Sequence, residues 1–584
     1  MQRLAYNIVI EELLLMEGKK VMGMQKMPTG VDNFRVLREK NYYFVDKTYF
    51  IKEILDNQVP VTLITRPRRF GKTLTLSMLK EFFDINAAGS RLFEGLSIEK
   101  AGEAYTGHQG KYPVIFISLK DVSRGNYGAA LHSICDKISD LYFEYNFLAE
   151  SAALAAREKR YYASICDMAQ DEKYDLAKWG KSLRVLTLYL WKHYGIKPIL
   201  LIDEYDAPIQ SAWEDGYYDE MIQFMRQLYS EVLKTNEALE FAVLTGVLRV
   251  AKESIFSGLN NLRVCSVLSA AYRDALGFTG AEVAKMAQDL GREDKLPEIR
   301  EWYDGYNFGG QEIYNPWSVI QYFQEGCIPA PYWVNTSANG IIRQMVHGLS
   351  RKTESELQQL MQGESVCKTV HENIIYNEIG QNSDDFYTML LITGYLKAVD
   401  SRANAFGETV ALRIPNKEIL NLFRIEILRS MAGYRSISDI SDMLNSMLAG
   451  EAERFEMNLE LILRNYVSYH DAANGESFYH GMMLGFCVLL KDTHIVKSNR
   501  ESGYGRFDLA LIPKDNRQYG VILEFKRADN EAQLEAKAME ALKQIEELVY
   551  GNEFEQRQIN KVWKYGIAFC GKKVCLRTDD ESKI

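Results

Sequence analysis

Ile64-Thr65-Arg66-Pro67-Arg68-Arg69-Phe70-Gly71-Lys72-Thr73 decides how the first half of this 584-residue chain is read. The apolar run Val59–Thr65 leads into it, and apolar residues at three-to-four spacing leave it over Thr73–Phe83, so the pattern is strand, turn, helix. A turn of this kind offers backbone N–H groups and a helix N-terminus to anionic phosphates. A lysine reaches the terminal phosphates, and the next hydroxyl ligates magnesium. Gly71, Lys72 and Thr73 stand in those places, with Arg68, Arg69 and Phe70 supplying the rest of the turn. The generic pattern has a further glycine five positions before Gly71. This chain has Arg66 there, a costly residue wherever φ must be positive.

Working outward, Tyr112–Leu119, Pro198–Ile202 and Phe241–Gly246 are short β-rich runs without polar alternation, as in strands covered on both faces. Helical patterns over Tyr127–Ser151 and Tyr217–Thr235 separate them, the mark of a doubly wound parallel sheet. The Pro198 run ends in Asp203 and Glu204. Asp203 is expected to hold magnesium, directly or through water, and Glu204 to polarise the attacking water. A solvated strand exit is the bland alternative; the Gly-Lys-Thr at the end of another strand favours chemistry. The Phe241 run places Thr245 to sense the terminal phosphate and leads to Arg249, a candidate for stabilising its developing charge, although loop arginines are commonly only solvated.

Near the C-terminus, Phe507–Pro513 and Gly520–Lys526 flank the polar turn Lys514–Tyr519. Folding this hairpin about Asn516 sets Asp508 opposite Glu524, and strand alternation brings Lys526 to the same face, with Leu523 and Phe525 turned to the core. Two adjacent carboxylates repel unless a cation lies between them, so Asp508 and Glu524 form a candidate magnesium site. Lys526 is placed to orient water and offset phosphate charge. This is the D…E-x-K pattern of PD-(D/E)XK nucleases; a surface hairpin with a cross-strand lysine and carboxylates is the alternative. Glu476 is a candidate third acid, while Gln544 and Tyr550 are expected in or beyond a long downstream helix. Between Lys491 and Arg527 there are eight Lys/Arg against five Asp/Glu, a local net of +3, with Lys497, Arg500 and Arg506 as candidate phosphate contacts. His470, His480 and His494 show no metal-ligand spacing.

The formal charge of -10 excludes a protein that coats nucleic acid with its whole surface. Eight scattered cysteines without a Cys-x-x-Cys pair fit buried thiols in a reducing cytoplasm. No apolar run reaches the roughly 18 residues of a membrane span. Residues 1–23 read as an extension without a secretion signal.

Several strings in order carry a family resemblance: Tyr43-Phe44-Val45-Asp46-Lys47-Thr48, the phosphate turn, Leu201-Ile202-Asp203-Glu204-Tyr205-Asp206, Ile255–Asn261, Trp302–Tyr306 and Tyr314–Ser318. From Met24 onward the chain resembles the AAA-ATPase-like family, bacterial proteins that commonly end in a PD-(D/E)XK nuclease domain and in which arginine at position 66 is usual. The resemblance implies an α/β fold: a P-loop NTPase parallel sheet with helices on both faces over 24–265, a mostly helical middle region over 266–465, and a PD-(D/E)XK-type α/β module over 466–584. ATP and Mg2+ are the implied cofactors, nucleic acid (DNA or RNA) the implied partner of the C-terminal module, and oligomers are compatible with it. A nucleotide-dependent signalling or defence switch that binds nucleic acid without cutting it is the alternative function.

Overall fold

The computed structural model describes residues 25–579 apart from 123–124, 168–173, 250–254, 257–259, 334–350, 362, 372–382, 405–406, 424–436, 467–475, 488–489, 491–492, 503–504, 548–553, 555–556 and 560. The N-terminal extension, His470 and Tyr550 therefore lie outside the described residues, as do the side chains of Glu476, Arg500 and Arg506.

A five-stranded parallel sheet is formed by β1 (Val61–Thr65), β2 (Val114–Ser118), β3 (Ile199–Asp203), β4 (Ala242–Gly246) and β5 (Leu262–Cys265), in the order β2-β3-β4-β1-β5. Every residue of β1, β3 and β4 is buried, so their unbroken apolar runs reflect cover on both faces. On one face the helix Lys72–Phe83 sets Leu76, Leu79, Phe82 and Phe83 against Ile64, Leu201 and Val243. The expected helix Tyr127–Ser151 stops at Glu144 because Tyr145 leaves helical geometry, and a short 3-10 turn, Asn146–Ala149, follows. β5 escaped sequence reading because it is a four-residue edge strand in which only Cys265 is buried.

The middle region contains helices and two small antiparallel sheets that the sequence does not announce. One joins β6 (Phe278–Thr279), β7 (Tyr306–Phe308) and β8 (Gln311–Tyr314); the other joins β9 (Val366–Val370), β10 (Lys397–Asn404) and β11 (Gly407–Arg413). The chain forms two compact units, Met1–Ser337 with Ser355–Ile419, and Ala338–Glu354 with Leu420–Ile584. Most of the middle region thus falls in the first of these units.

In the second unit β12 (His494–Ser502), β13 (Gly505–Pro513), β14 (Gly520–Arg527), β15 (Val562–Cys570) and β16 (Lys573–Thr578) form one sheet in sequence order. Only β14 and β15 are parallel, and the connection between them carries the helix Leu534–Glu547. One face of the sheet (Leu509, Leu511, Leu523, Phe525) shares a core with residues of the helices Ile437–Ala449, Ala452–Tyr466 and Glu476–Cys487. The other (Ala510, Ile512, Ile522) packs against Ile545 of the crossover helix. The sequence anticipates the hairpin, the helices and β15; β12 and β16 are additional.

Candidate functional sites

The strand order sets the first site. β4 lies between the strand that enters the phosphate turn and the one that ends in Asp203, so all three exits open at the same edge of the sheet, where ligands of open α/β sheets bind. Asp203 is fully buried and its carboxylate collects hydroxyls from two strand ends and from the first turn of the helix Lys72–Phe83. It accepts from Thr73 Oγ1 at 2.7 Å, from Thr245 Oγ1 at 2.7 Å and from Ser118 Oγ at 3.5 Å. Thr73 and Thr245 were expected at the site; Ser118, opposite Asp203 in the β2–β3 register, was missed. Its only sequence signal is its place at the end of an apolar run. Thr245 directs its hydroxyl to Asp203.

Lys72 lies across the turn and donates to the carbonyls of Arg66 (3.0 Å) and Pro67 (2.9 Å). An ammonium has three donors, so this lysine is pre-set while keeping capacity for a phosphate. Burial pushes its pKa down, against the pull of Glu204, Asp206 and Asp203. Glu204 stands at φ 51, just past the strand, and burial raises its carboxyl while Lys72 pulls it back. Asp206 is buried and accepts from the amides of Val247 (2.9 Å) and Leu248 (2.7 Å), which fixes the path of the β4 exit toward Arg249. Arg249 is half-buried and makes no hydrogen bond or ion pair among the described residues.

The turn itself resolves the Arg66 departure. The positive-φ positions are Arg69 (φ 68) and Gly71 (φ 86), not Arg66. Arg66 is wholly buried and its guanidinium donates to the carbonyls of Cys265 (3.0 Å), Ser266 (2.7 Å) and Tyr272 (3.1 Å), with the Phe308 ring 4.8 Å away. The side chains of Arg68, Arg69 and Phe70 also turn to protein partners. Arg68 donates to Gln210 Oε1 (3.2 Å), Arg69 stacks on Trp317 (4.4 Å), and Phe70 is buried against Tyr306 and Phe308. What these three residues offer a ligand is therefore backbone. Among the described residues, the amides of Arg68, Arg69 and Gly71 have no protein acceptor. Successive N–H groups in a turn with left-handed residues form an anion-binding nest.

The second site lies where β13 and β14 separate. Their ladder pairs Leu509 with Leu523, Ala510 with Ile522 and Leu511 with Val521, the register expected from the sequence. One step further on, Asp508 Oδ2 accepts from the Phe525 amide at 2.9 Å, and Glu524 Oε2 accepts from the Asp508 amide at 3.3 Å. Glu524 is only 3% exposed; its Oε1 accepts from Gln544 Nε2 of the crossover helix and lies 3.9 Å from Lys526 Nζ. Asp508, Lys526 and Gln544, all expected near this site, thus each meet Glu524 directly. His480 was missed as a member of this group. Its Nε2 donates to the Asp508 carbonyl at 2.9 Å, from the helix beneath the hairpin. Lys497 pairs with Ala510, on the face that also carries Ile522, Glu524 and Lys526. His494 is buried, its Nδ1 2.9 Å from Thr493 Oγ1, and burial lowers its pKa.

The donor sets suit magnesium at both places. Thr73 and Asp203 provide a hydroxyl beside a carboxylate, and Asp508 and Glu524 provide two carboxylates that retain lone pairs after their local hydrogen bonds. Among the described residues no cluster of three or more His, Cys, Asp or Glu side chains forms a metal site, and no helix is long and apolar enough to cross a membrane.

Comparison with known proteins agrees with this architecture. Residues 28–256 match the family model described as predicted AAA-ATPase, and residues 474–579 match that of the PD-(D/E)XK nuclease superfamily. The chain is 27% identical over 551 residues to an uncharacterized protein in the vnfD 5' region of Azotobacter chroococcum mcd 1, covering 92% of this chain and 95% of that one. The chain thus carries a segment similar to the predicted AAA-ATPase family, followed near the C-terminus by one similar to the PD-(D/E)XK nuclease superfamily.

Proposed function

We propose that the protein binds and hydrolyses ATP in its first unit and cleaves a nucleic-acid phosphodiester in its second. The observation that carries the first half is the contact of Thr73 with Asp203, residues 130 positions apart, beside a lysine already drawn across a turn whose amides have no acceptor among the described residues. The amides of Arg68, Arg69 and Gly71 bind the phosphate oxygens, and Lys72 neutralises the terminal phosphates. Glu204 takes the proton of the attacking water, and Arg249, with no partner among the described residues, stabilises charge developing on the terminal phosphoryl group. Thr245 acts through Asp203, keeping its carboxylate turned to Thr73.

In the second unit Asp508 and Glu524 hold the metal, Lys526 orients the attacking water and meets the charge on the scissile phosphate, and Gln544 fixes Glu524. Thr73 with Asp203, and Asp508 with Glu524, would hold Mg2+, which when bound would supply charge neutralisation on phosphate and a more acidic water. Lys497 and Lys526 share a sheet face suited to a phosphodiester backbone. No helicase motif series accompanies the phosphate loop, which favours ATP as a licence to cut over ATP as a motor.

A matrix of DNA and RNA substrates, with and without ATP and Mg2+, tests both halves. Cutting is expected to need Mg2+ and to disappear in Asp508→Ala and Lys526→Ala. Phosphate release is expected to disappear in Lys72→Ala and to fall sharply in Glu204→Gln. Cleavage that persists unchanged in both nuclease variants, or phosphate release indifferent to Lys72, overturns the corresponding half.

A further inference from the structure

The phosphate loop is held from outside the stretch that carries its motif. Trp333 Nε1 donates to the Arg68 carbonyl at 2.9 Å, and the Trp333 side chain is itself buried. A trans peptide is planar, with its C=O and the following N–H pointing in opposite directions. Fixing the Arg68 carbonyl therefore aims the Arg69 N–H the other way. That N–H belongs to a residue at φ 68 and has no protein acceptor among the described residues. Alone, this peptide would be free to rotate, because positive φ is unfavourable for arginine and the alternative orientation would relieve it.

The hold on this peptide is itself anchored. Glu418 is fully buried; one oxygen accepts from the Trp333 amide at 2.7 Å and the other from Ser318 Oγ at 2.8 Å. Ser318 follows Trp317, whose ring carries the Arg69 guanidinium, and Asn315 caps that helix through the Ser318 amide. One buried carboxylate thus ties the Trp333 backbone to Ser318, the neighbour of Trp317, and the two tryptophans meet Arg68 and Arg69 respectively. Gly394 adds a steric limit, since a Cβ there would come within 2.9 Å of the Pro67 ring.

We infer that Trp333 is a positioning residue of the nucleotide site: its indole N–H holds the Arg68–Arg69 peptide in the orientation that presents the Arg69 amide to a phosphate oxygen of ATP. The inference rests on the proposed ATP-binding function and extends the site to residues 315–333 and 418, beyond the family match at 28–256.

Trp333→Phe keeps an aromatic ring in the cavity and removes only the donor. In the full-length protein, Mg-ATP affinity by equilibrium titration is expected to weaken about 3- to 10-fold, the scale of one lost hydrogen bond. The melting temperature without nucleotide is expected to stay close to the parent's, so the thermal shift produced by ATP shrinks. Trp179→Phe, a buried tryptophan away from the loop, serves as the control and is expected to bind like the parent. Unchanged ATP affinity in Trp333→Phe, with the parent binding ATP and Lys72→Ala failing to, overturns the inference and leaves the proposed function standing. A loss of affinity equal in Trp179→Phe overturns it as well, as a general packing effect. Failure of the parent to bind Mg-ATP removes the proposed function and the inference with it.

Discussion

Replacing Arg66 by glycine would restore the generic phosphate-loop pattern, and it is expected to damage the protein. Arg66 needs no positive φ, so glycine relieves no strain there. Its guanidinium is the donor for the carbonyls of Cys265, Ser266 and Tyr272, which lie about 200 residues away in sequence and form the β5 exit beside the loop. A hydrogen bond from a charged donor contributes about 1.5–3 kcal/mol, so three are worth roughly 4–9 kcal/mol. Against this stands the cost of burying the cation. Burial pushes the Arg66 guanidinium from 12.5 down to about 10, an opposing contribution of roughly 3 kcal/mol. Its Nε also finds no acceptor, so the fit is incomplete. The balance leaves a loss on the order of 3 kcal/mol for Arg66→Gly, with a cavity beside Phe308 as a further cost. Thermal unfolding of the full chain, followed by a probe of the first unit, should show its transition several degrees lower. ATP binding should weaken too, because the backbone that Lys72 leans on loses its side-chain tie to the β5 exit. Arg66→Lys should not restore stability, since one ammonium cannot reproduce the planar fork. A glycine variant that melts with the parent and binds ATP equally well refutes the reasoning.

Three other outcomes are expected. Because burial raises the Glu204 carboxyl above its ordinary 4.5, the acid limb of ATP turnover should lie above pH 4.5; a limb at or below that value contradicts the general-base role. Gln544→Leu removes the donor to Glu524 Oε1 and should raise the Mg2+ concentration for half-maximal cutting about 10-fold while leaving DNA or RNA binding in EDTA unchanged; an unaltered metal requirement argues against it. The folded-state pKa of His494 is depressed below 6.5, so its neutral form contributes stability that is present above 6.5 and is lost as pH falls through the depressed value. Acid melts of the parent should therefore drop more steeply below pH 6.5 than those of His494→Gln, and parallel curves would count against this.

What was legible in the sequence follows from how local each determinant is. The strand-turn-helix at Gly71 is written in ten consecutive residues, and the Asp508–Glu524 register follows from the symmetry of one hairpin. β3, carrying Asp203, is recognisable because a strand buried on both faces must be apolar throughout. β5 and β16 are short strands with partly covered residues and are not apolar throughout. The hold of Trp333 on Arg68 spans 265 residues and leaves no periodic trace. Arg66 is the instructive residue: judged by the loop's glycine pattern it looks unfavourable, but its role is to satisfy carbonyls that only the folded sheet brings near.

The two sites also differ in when a growing chain is able to complete them. The phosphate loop waits for Asp203, Thr245, the β5 exit and finally Trp333 and Glu418, so it closes only after more than 400 residues have left the ribosome. The carboxylate cluster of the second unit is drawn from His480 to Gln544, all of it synthesised later. Since domains fold from the N-terminal side as they emerge, translation itself would complete the phosphate loop before the carboxylate cluster, and an interrupted message would leave a chain with the first site alone.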